Sequence, residues 1–138
     1  MPKMIPHHRE VLGKLDVLVV DDISVVRNVL ARILRNLGVG GRIDKAEDGF
    51  KAWEMIQTHN YDLVVSDIQM PRMTGLELKK IVRATPRFAG LPFLMITGEV
   101  SEDILASAKE SRYDGFVLKP FPRVVLEASL RELLNIPR

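Results

Sequence analysis

The chain has no cysteine at all. That excludes a disulfide framework, a thiolate-ligated zinc and a thiol nucleophile, and leaves oxygen and nitrogen groups to carry any chemistry. An excess of one charge is missing too. Twenty basic against 18 acidic side chains leave a net +2, too little to argue for nucleic acid as a partner. No apolar run reaches the length of about 20 residues that a membrane span needs, and Met1–Lys14 holds nothing like a secretory signal. Internal repeats and low-complexity tracts are absent as well. The expectation is a soluble cytoplasmic protein with no membrane insertion.

What is present is ordinary globular material: 138 residues, 46% of them hydrophobic, which is one domain with a sizeable core. Residues 1–14 carry Pro2, Lys3, Pro6, His7, His8, Arg9 and Lys14 without periodicity, and read as a basic, flexible extension before a domain spanning 15–138. Two adjacent histidines supply too few ligands for a metal site.

Past that extension the pattern alternates. Val17–Val20 is an apolar run followed at once by Asp21 and Asp22. Ser24 is placed to cap a helix carrying Val26, Val29, Leu30, Ile33, Leu34 and Leu37, with Gly38 to end it. Residues 41–46 alternate weakly, as an edge strand does. After the Asp48-Gly49 turn, a short helix turns Ala52, Trp53 and Ile56 inward. Leu63–Val65 then delivers Asp67 to the end of a strand, with Pro71 breaking the backbone beyond it. Thr74 and Glu77 stand in capping-box register and predict a helix over 75–84. A strand over 91–96 ends at Thr97-Gly98-Glu99, and Ser101 caps a helix with Ile104, Leu105 and Ala108 inward. A last short strand over 116–118 ends at Lys119-Pro120. Pro122 opens a final helix built on Val125, Leu126, Leu130, Leu133 and Leu134.

Five strands alternating with five helices, the central strands apolar throughout, predict an α/β fold. The expected architecture is a doubly wound five-stranded parallel sheet in a three-layer α/β/α arrangement. Right-handed crossovers then bring all strand ends to one edge. Asp21, Asp22, Asp67, Thr97 and Lys119 follow different strands, so topology gathers them.

Taken singly, each of these residues has a bland reading: a helix-entry acid, a turn hydroxyl, a solvated lysine, a strand-end turn residue. Taken together they define a chemistry. Three neighbouring carboxylates repel unless a cation joins them, and a set made of oxygen alone points to a hard ion, Mg²⁺ above all. Such a site leaves room for a phosphoryl group, with a lysine ammonium and a threonine hydroxyl as further partners. One carboxylate then acts as nucleophile and forms an acyl phosphate. Asp67, on the central strand, is the candidate.

The stretches VLVVDDISVVR, AEDG, VVSDIQMPRMTGLEL, LPFLMITGE and FVLKPF resemble the receiver domain of bacterial response regulators, most closely the single-domain CheY-like members. The similarity runs from about Leu15 to the end of the chain. It implies a flavodoxin-like sheet of order 2-1-3-4-5, an order known for that fold rather than read from the pattern. It implies a phosphorylation-dependent switch of a two-component or chemotaxis system, in which a sensor histidine kinase passes a phosphoryl group from phospho-His to Asp67. Asp22, Asp67 and the backbone carbonyl of Gln69 would hold Mg²⁺ directly, with Asp21 acting largely through water. Thr97 and Lys119 would bind the phosphoryl oxygens. Lys119-Pro120 would be a cis peptide.

The resemblance also casts Thr97 and Phe116 as the switch. It places a downstream partner on the face of the fourth helix, fifth strand and fifth helix. Gln69 and Glu99 lie two residues beyond Asp67 and Thr97, where they would flank the path of water and tune the lifetime of the phosphoryl group. Such a protein catalyses its own phosphorylation and dephosphorylation but works as a switch, not as a turnover enzyme. The output would be a flagellar motor switch or a histidine phosphotransfer protein, the latter making the chain a relay intermediate; a phosphate sink is the further alternative. The chain departs from the family pattern at Gly98, at Thr74 where Asp is frequent, at Ser111-Arg112-Tyr113 in place of a common Gly-Ala pair, and at Phe116 where Tyr is frequent. A haloacid-dehalogenase-type phosphatase would need its two acids one position apart, and here they are adjacent. A flavin binder would need small hydroxyl and glycine residues there instead of carboxylates.

Overall fold

The computed structural model describes residues 11–108 and 110–135. Its strands are β1 (Val17–Val20), β2 (Ile43–Ala46), β3 (Leu63–Asp67), β4 (Phe93–Thr97) and β5 (Asp114–Leu118). Between and after them lie α1 (Ser24–Leu37), α2 (Gly49–Thr58), α3 (Gly75–Ala84), α4 (Glu102–Ala108) and α5 (Arg123–Leu133), with a 3₁₀ turn at Pro86–Phe88. All neighbouring strands pair in parallel, in the order β2-β1-β3-β4-β5. This is the flavodoxin-like arrangement that the alternating pattern and the resemblance implied.

Because successive strand residues point to opposite faces, the apolar runs feed two cores. Val17, Val19, Val65, Leu94, Ile96 and Val117 pack on α1 and α5 through Leu30, Leu34, Leu126 and Leu130. Leu18, Val20, Val64, Phe93 and Met95 pack on the α2 and α3 side through Ala52, Ile56, Leu78 and Val82. Every residue of β1, β3 and β4 is buried, whereas β2 is only partly covered, as befits an edge.

Several local expectations shift. Ser24 is the first residue of α1, not its cap; Ile23 stands at the cap position, and its N–H goes to the Asp21 carboxylate at 2.9 Å. Pro122 flanks α5 instead of opening it. β4 begins at Phe93, two residues later than its apolar run, and β5 at Asp114, two residues earlier than its own, because the two strands pair from Phe93 and Asp114 onward. Val29, Leu105 and Val125, expected inward, are exposed at 43%, 47% and 42%. Thr74 and Glu77 do form the capping box, and Gly38 ends α1 in the left-handed conformation.

Of the expected extension, residues 1–10 lie outside the described residues, His7 and His8 among them, and so does Lys109. Val11–Lys14 lie against the domain. Leu12 is buried in the α1–α5 core, its carbonyl accepts the Gly40 N–H at 2.9 Å, and a β-carbon at Gly40 would stand 2.7 Å from the Gly13 oxygen. Leu12 and Leu15 present one apolar face three residues apart, and the core takes both.

Candidate functional site

At the carboxyl edge of the sheet, regular pairing ends within a few residues on four strands, and five polar side chains meet there. β1 leads into Asp21 and Asp22, β3 ends on Asp67, β4 ends on Thr97, and β5 leads into Lys119. One carboxylate oxygen from each of Asp21, Asp22 and Asp67 lies within 4.8 Å of the others. The Lys119 ammonium stands 3.7 Å from Asp67 Oδ1. That oxygen is buried and has no hydrogen-bond partner. Asp21 and Asp67 are buried, while Asp22 faces solvent.

Electrostatics follow from that burial. Desolvation pushes the Asp67 carboxyl above the ordinary carboxylate value, against the pull of Lys119 and of the Gln69 and Ile68 backbone N–H groups. Asp21 is raised for the same first reason; the Ile23 N–H offsets it and the Asp67 charge adds to it. Buried carboxylates with an unpaired oxygen, crowded together and lacking nitrogen or sulfur donors, fit a hard divalent cation such as Mg²⁺.

The backbone fixes these groups closely. Lys119 N–H donates to the Thr97 carbonyl at 2.7 Å, and Lys119-Pro120 is cis. Gly75, opening α3, sends its N–H to the Ile68 carbonyl at 3.0 Å, and a β-carbon there would sit 2.3 Å from the Asp67 carbonyl oxygen. Only glycine fits where α3 abuts the strand end. Thr97 is fully buried and its hydroxyl accepts the Glu99 N–H at 3.1 Å. A side chain at Gly98 would meet open space. Gln69 and Glu99 are both exposed beside the cluster.

Phe116 is half-buried and lies inside β5, opposite Met95; Thr97 is opposite Leu118. Phe116 and Thr97 therefore share a sheet face, diagonally displaced, with the ring against the α2–α3 side core. The turn at Ser111-Arg112-Tyr113 closes on the Asp114 carboxylate, which accepts the Glu110 and Ser111 N–H groups at 3.1 Å each.

Sequence reasoning missed three groups. Arg27 donates to the Asp21 carbonyl at 2.6 Å. Arg72 pairs with Asp48, which the sequence pattern marks only as a turn residue. Lys79 is buried against Asp114 at 3.1 Å, with Arg83 on the other carboxylate oxygen. The available signal was a lysine beside Leu78 and Val82, at a position where the helix turns inward.

A profile of the response regulator receiver domain matches residues 17–131. The chain belongs to the response regulator receiver family. The chemotaxis protein CheY of Pseudomonas aeruginosa is 37% identical over 121 residues, covering 88% of this chain and 97% of that protein. The structure of Vibrio cholerae CheY4 superposes with a TM-score of 0.77 at 32% identity, covering 87% of this chain and 98% of that one. The receiver domain of sensor histidine kinase PA1611 from P. aeruginosa, solved with a magnesium ion coordinated in its active-site cleft, shares the fold at 23% identity, a TM-score of 0.75 and coverage of 88% and 98%. As a CheY-like receiver, the protein serves phosphorylation-dependent two-component signalling. Among the described residues, no helix is long and apolar enough to cross a membrane.

Proposed function

We propose that Asp67 accepts a phosphoryl group from the phospho-His of a sensor histidine kinase, in the cytoplasm, and that the phosphorylated receiver then binds a downstream protein of the chemotaxis type. The observation that carries this reading is Asp67 Oδ1: buried, without a hydrogen-bond partner, and 3.7 Å from the Lys119 ammonium. A buried oxygen left unpaired in a native site calls for a missing partner. Asp22, Asp67 and the Gln69 carbonyl would hold Mg²⁺, with Asp21 in support. When bound, the ion supplies charge neutralisation for carboxylates and phosphoryl oxygens alike.

An Asp67 oxygen attacks phosphorus, forming the P–O bond as the P–N bond to the donor imidazole breaks. The bonding pair returns to that nitrogen, which is protonated from solvent. Lys119 holds one phosphoryl oxygen and the Thr97 hydroxyl another. Hydrolysis later releases inorganic phosphate and restores the carboxylate, with Gln69 and Glu99 flanking the water's approach. The Thr97 hydroxyl accepts the Glu99 N–H and keeps its own proton to donate to a phosphoryl oxygen; as it moves toward that group, Phe116 on the same face responds by packing alone, having no hydroxyl of its own. The partner face made by α4, β5 and α5 is supported by exposed Leu105, Leu118, Val124 and Val125.

Incubation with acetyl phosphate and Mg²⁺ should give an acid-stable, base-labile adduct. The same adduct on Asp67→Asn would overturn the assignment.

A further inference from the structure

The loop that follows Asp67 contains a conformation its sequence does not favour. Met73 N–H donates to the Pro71 carbonyl at 2.7 Å, closing a three-residue turn around Arg72, whose φ is 67°. This is the positive-φ γ-turn, the rarer and more strained of the two kinds. Glycine adopts it without a β-carbon clash, so the backbone gives no reason for arginine.

The side chain supplies one. The Arg72 guanidinium pairs with the Asp48 carboxylate and lies 5.6 Å above the Phe50 ring. Asp48 is buried and held in turn: its other oxygen accepts the Lys51 N–H at 2.8 Å as the cap of α2. Directly beneath, Met73 fills the space beside Gly49, where a β-carbon would meet its sulfur at 2.7 Å. The strained turn is therefore tied to the amino end of α2. At its other end the loop is fixed to Asp67 and α3 through Gly75. Between these anchors sits Gln69, whose N–H faces the Asp67 carboxylate.

We infer that the Arg72–Asp48 pair is a clamp that positions the Gln69 stretch, and so sets how tightly the Asp67 site holds a divalent cation. The inference rests on the reading of Asp67 as the centre of a cation site. Strain stored next to a reactive group persists only where surrounding contacts enforce it, and here the enforcing contact is a surface-facing ion pair. Arg72 itself touches neither metal nor phosphoryl group; it acts through the loop.

Titration with Mg²⁺ alone, followed by calorimetry, tests this on the full chain. Arg72→Ala and Asp48→Asn, the latter preserving the helix cap, should each weaken Mg²⁺ binding by about threefold to tenfold. The double variant should be no weaker than either single one, because both break the same contact. Arg72→Gly should lose affinity equally while folding at least as stably, since it relieves the strain, and Arg72→Lys should recover part of the affinity. Amide hydrogen exchange at residues 69–73 of the magnesium-free variants should quicken. If wild type binds Mg²⁺ and these variants bind it equally well, or if the two single effects simply add, the clamp is refuted. If wild type binds no Mg²⁺, the reading of the site fails, and the clamp's effect on affinity fails with it.

Discussion

Two buried aspartates at opposite edges of the same sheet have opposite surroundings. Asp114, at the start of β5, accepts hydrogen bonds from Lys79 Nζ, from the Arg83 guanidinium and from the N–H groups of Glu110 and Ser111. Lys79 is itself buried and donates to the Ser107 carbonyl as well. Asp67, at the end of β3, has its nearest cation beyond hydrogen-bond reach, one oxygen unpaired and two carboxylates for neighbours. Burial is nearly the same for both, so burial does not separate them. Satisfaction does: both oxygens of Asp114 are hydrogen-bonded within the fold, whereas Oδ1 of Asp67 has no partner there, which is what the proposed reactive role requires.

The contrast breaks most visibly at Asp114. Asp114→Ala leaves buried Lys79 with only the exposed Glu110 carboxylate for a partner, and breaking a buried pair from one side costs about 3–5 kcal/mol. Denaturant unfolding should show that loss, while the folded fraction still accepts phosphate from acetyl phosphate. Intact stability would mean that the Glu110 carboxylate, 3.4 Å from Lys79 Nζ, and solvent compensate.

Next in size is the effect of filling the other site. At 100 times its dissociation constant, Mg²⁺ should stabilise the protein by about 2.7 kcal/mol. Burial raises the Asp21 and Asp67 carboxyls above their ordinary value of 3.8, so the folded state binds more protons than the unfolded one. Stability from these two groups is therefore complete below that value and is lost as pH rises through the folded values. Mg²⁺ needs the carboxylates ionised, so its stabilising increment should grow over the same window. Thermal denaturation from about pH 4 to about pH 7, with and without Mg²⁺, should show the gap between the two curves widening as pH rises; parallel curves would argue against these carboxylates as ligands.

A smaller effect should follow from Asp67→Asn in magnesium-free buffer. Removing a desolvated charge beside Asp21 and Asp22 should leave stability unchanged or raised, within about 1 kcal/mol. A large loss would show that Asp67, like Asp114, is a structural acid. Smallest of all, Gln69→Ala and Glu99→Ala should alter the decay rate of the phosphoprotein and leave Mg²⁺ affinity nearly unchanged. Unchanged decay in both would reduce these residues to solvated polar groups.

The sequence reached far into this site because its signals are local. Short apolar strands of four or five residues leading into Asp21 or ending on Asp67 or Thr97 mark strand ends, and parallel topology brings strand ends together whatever lies between. Thr74 and Glu77 are three residues apart, and their reciprocal bonds are a property of that spacing. Helix faces were less legible: Leu105 and Val125 follow helical spacing yet remain exposed, since periodicity marks a stripe without saying how much of it a neighbour covers.

By itself, then, the sequence determined the element order, the parallel sheet and the gathering of acids, threonine and lysine at one edge. Tertiary structure alone decided which charges meet across it. Lys79 and Asp114 are separated by 35 positions and Arg72 and Asp48 by 24. No periodic pattern encodes such pairs, because a charged side chain's partner depends on how two helices and a loop are packed. The same packing decides that one buried aspartate is saturated and the other is left open.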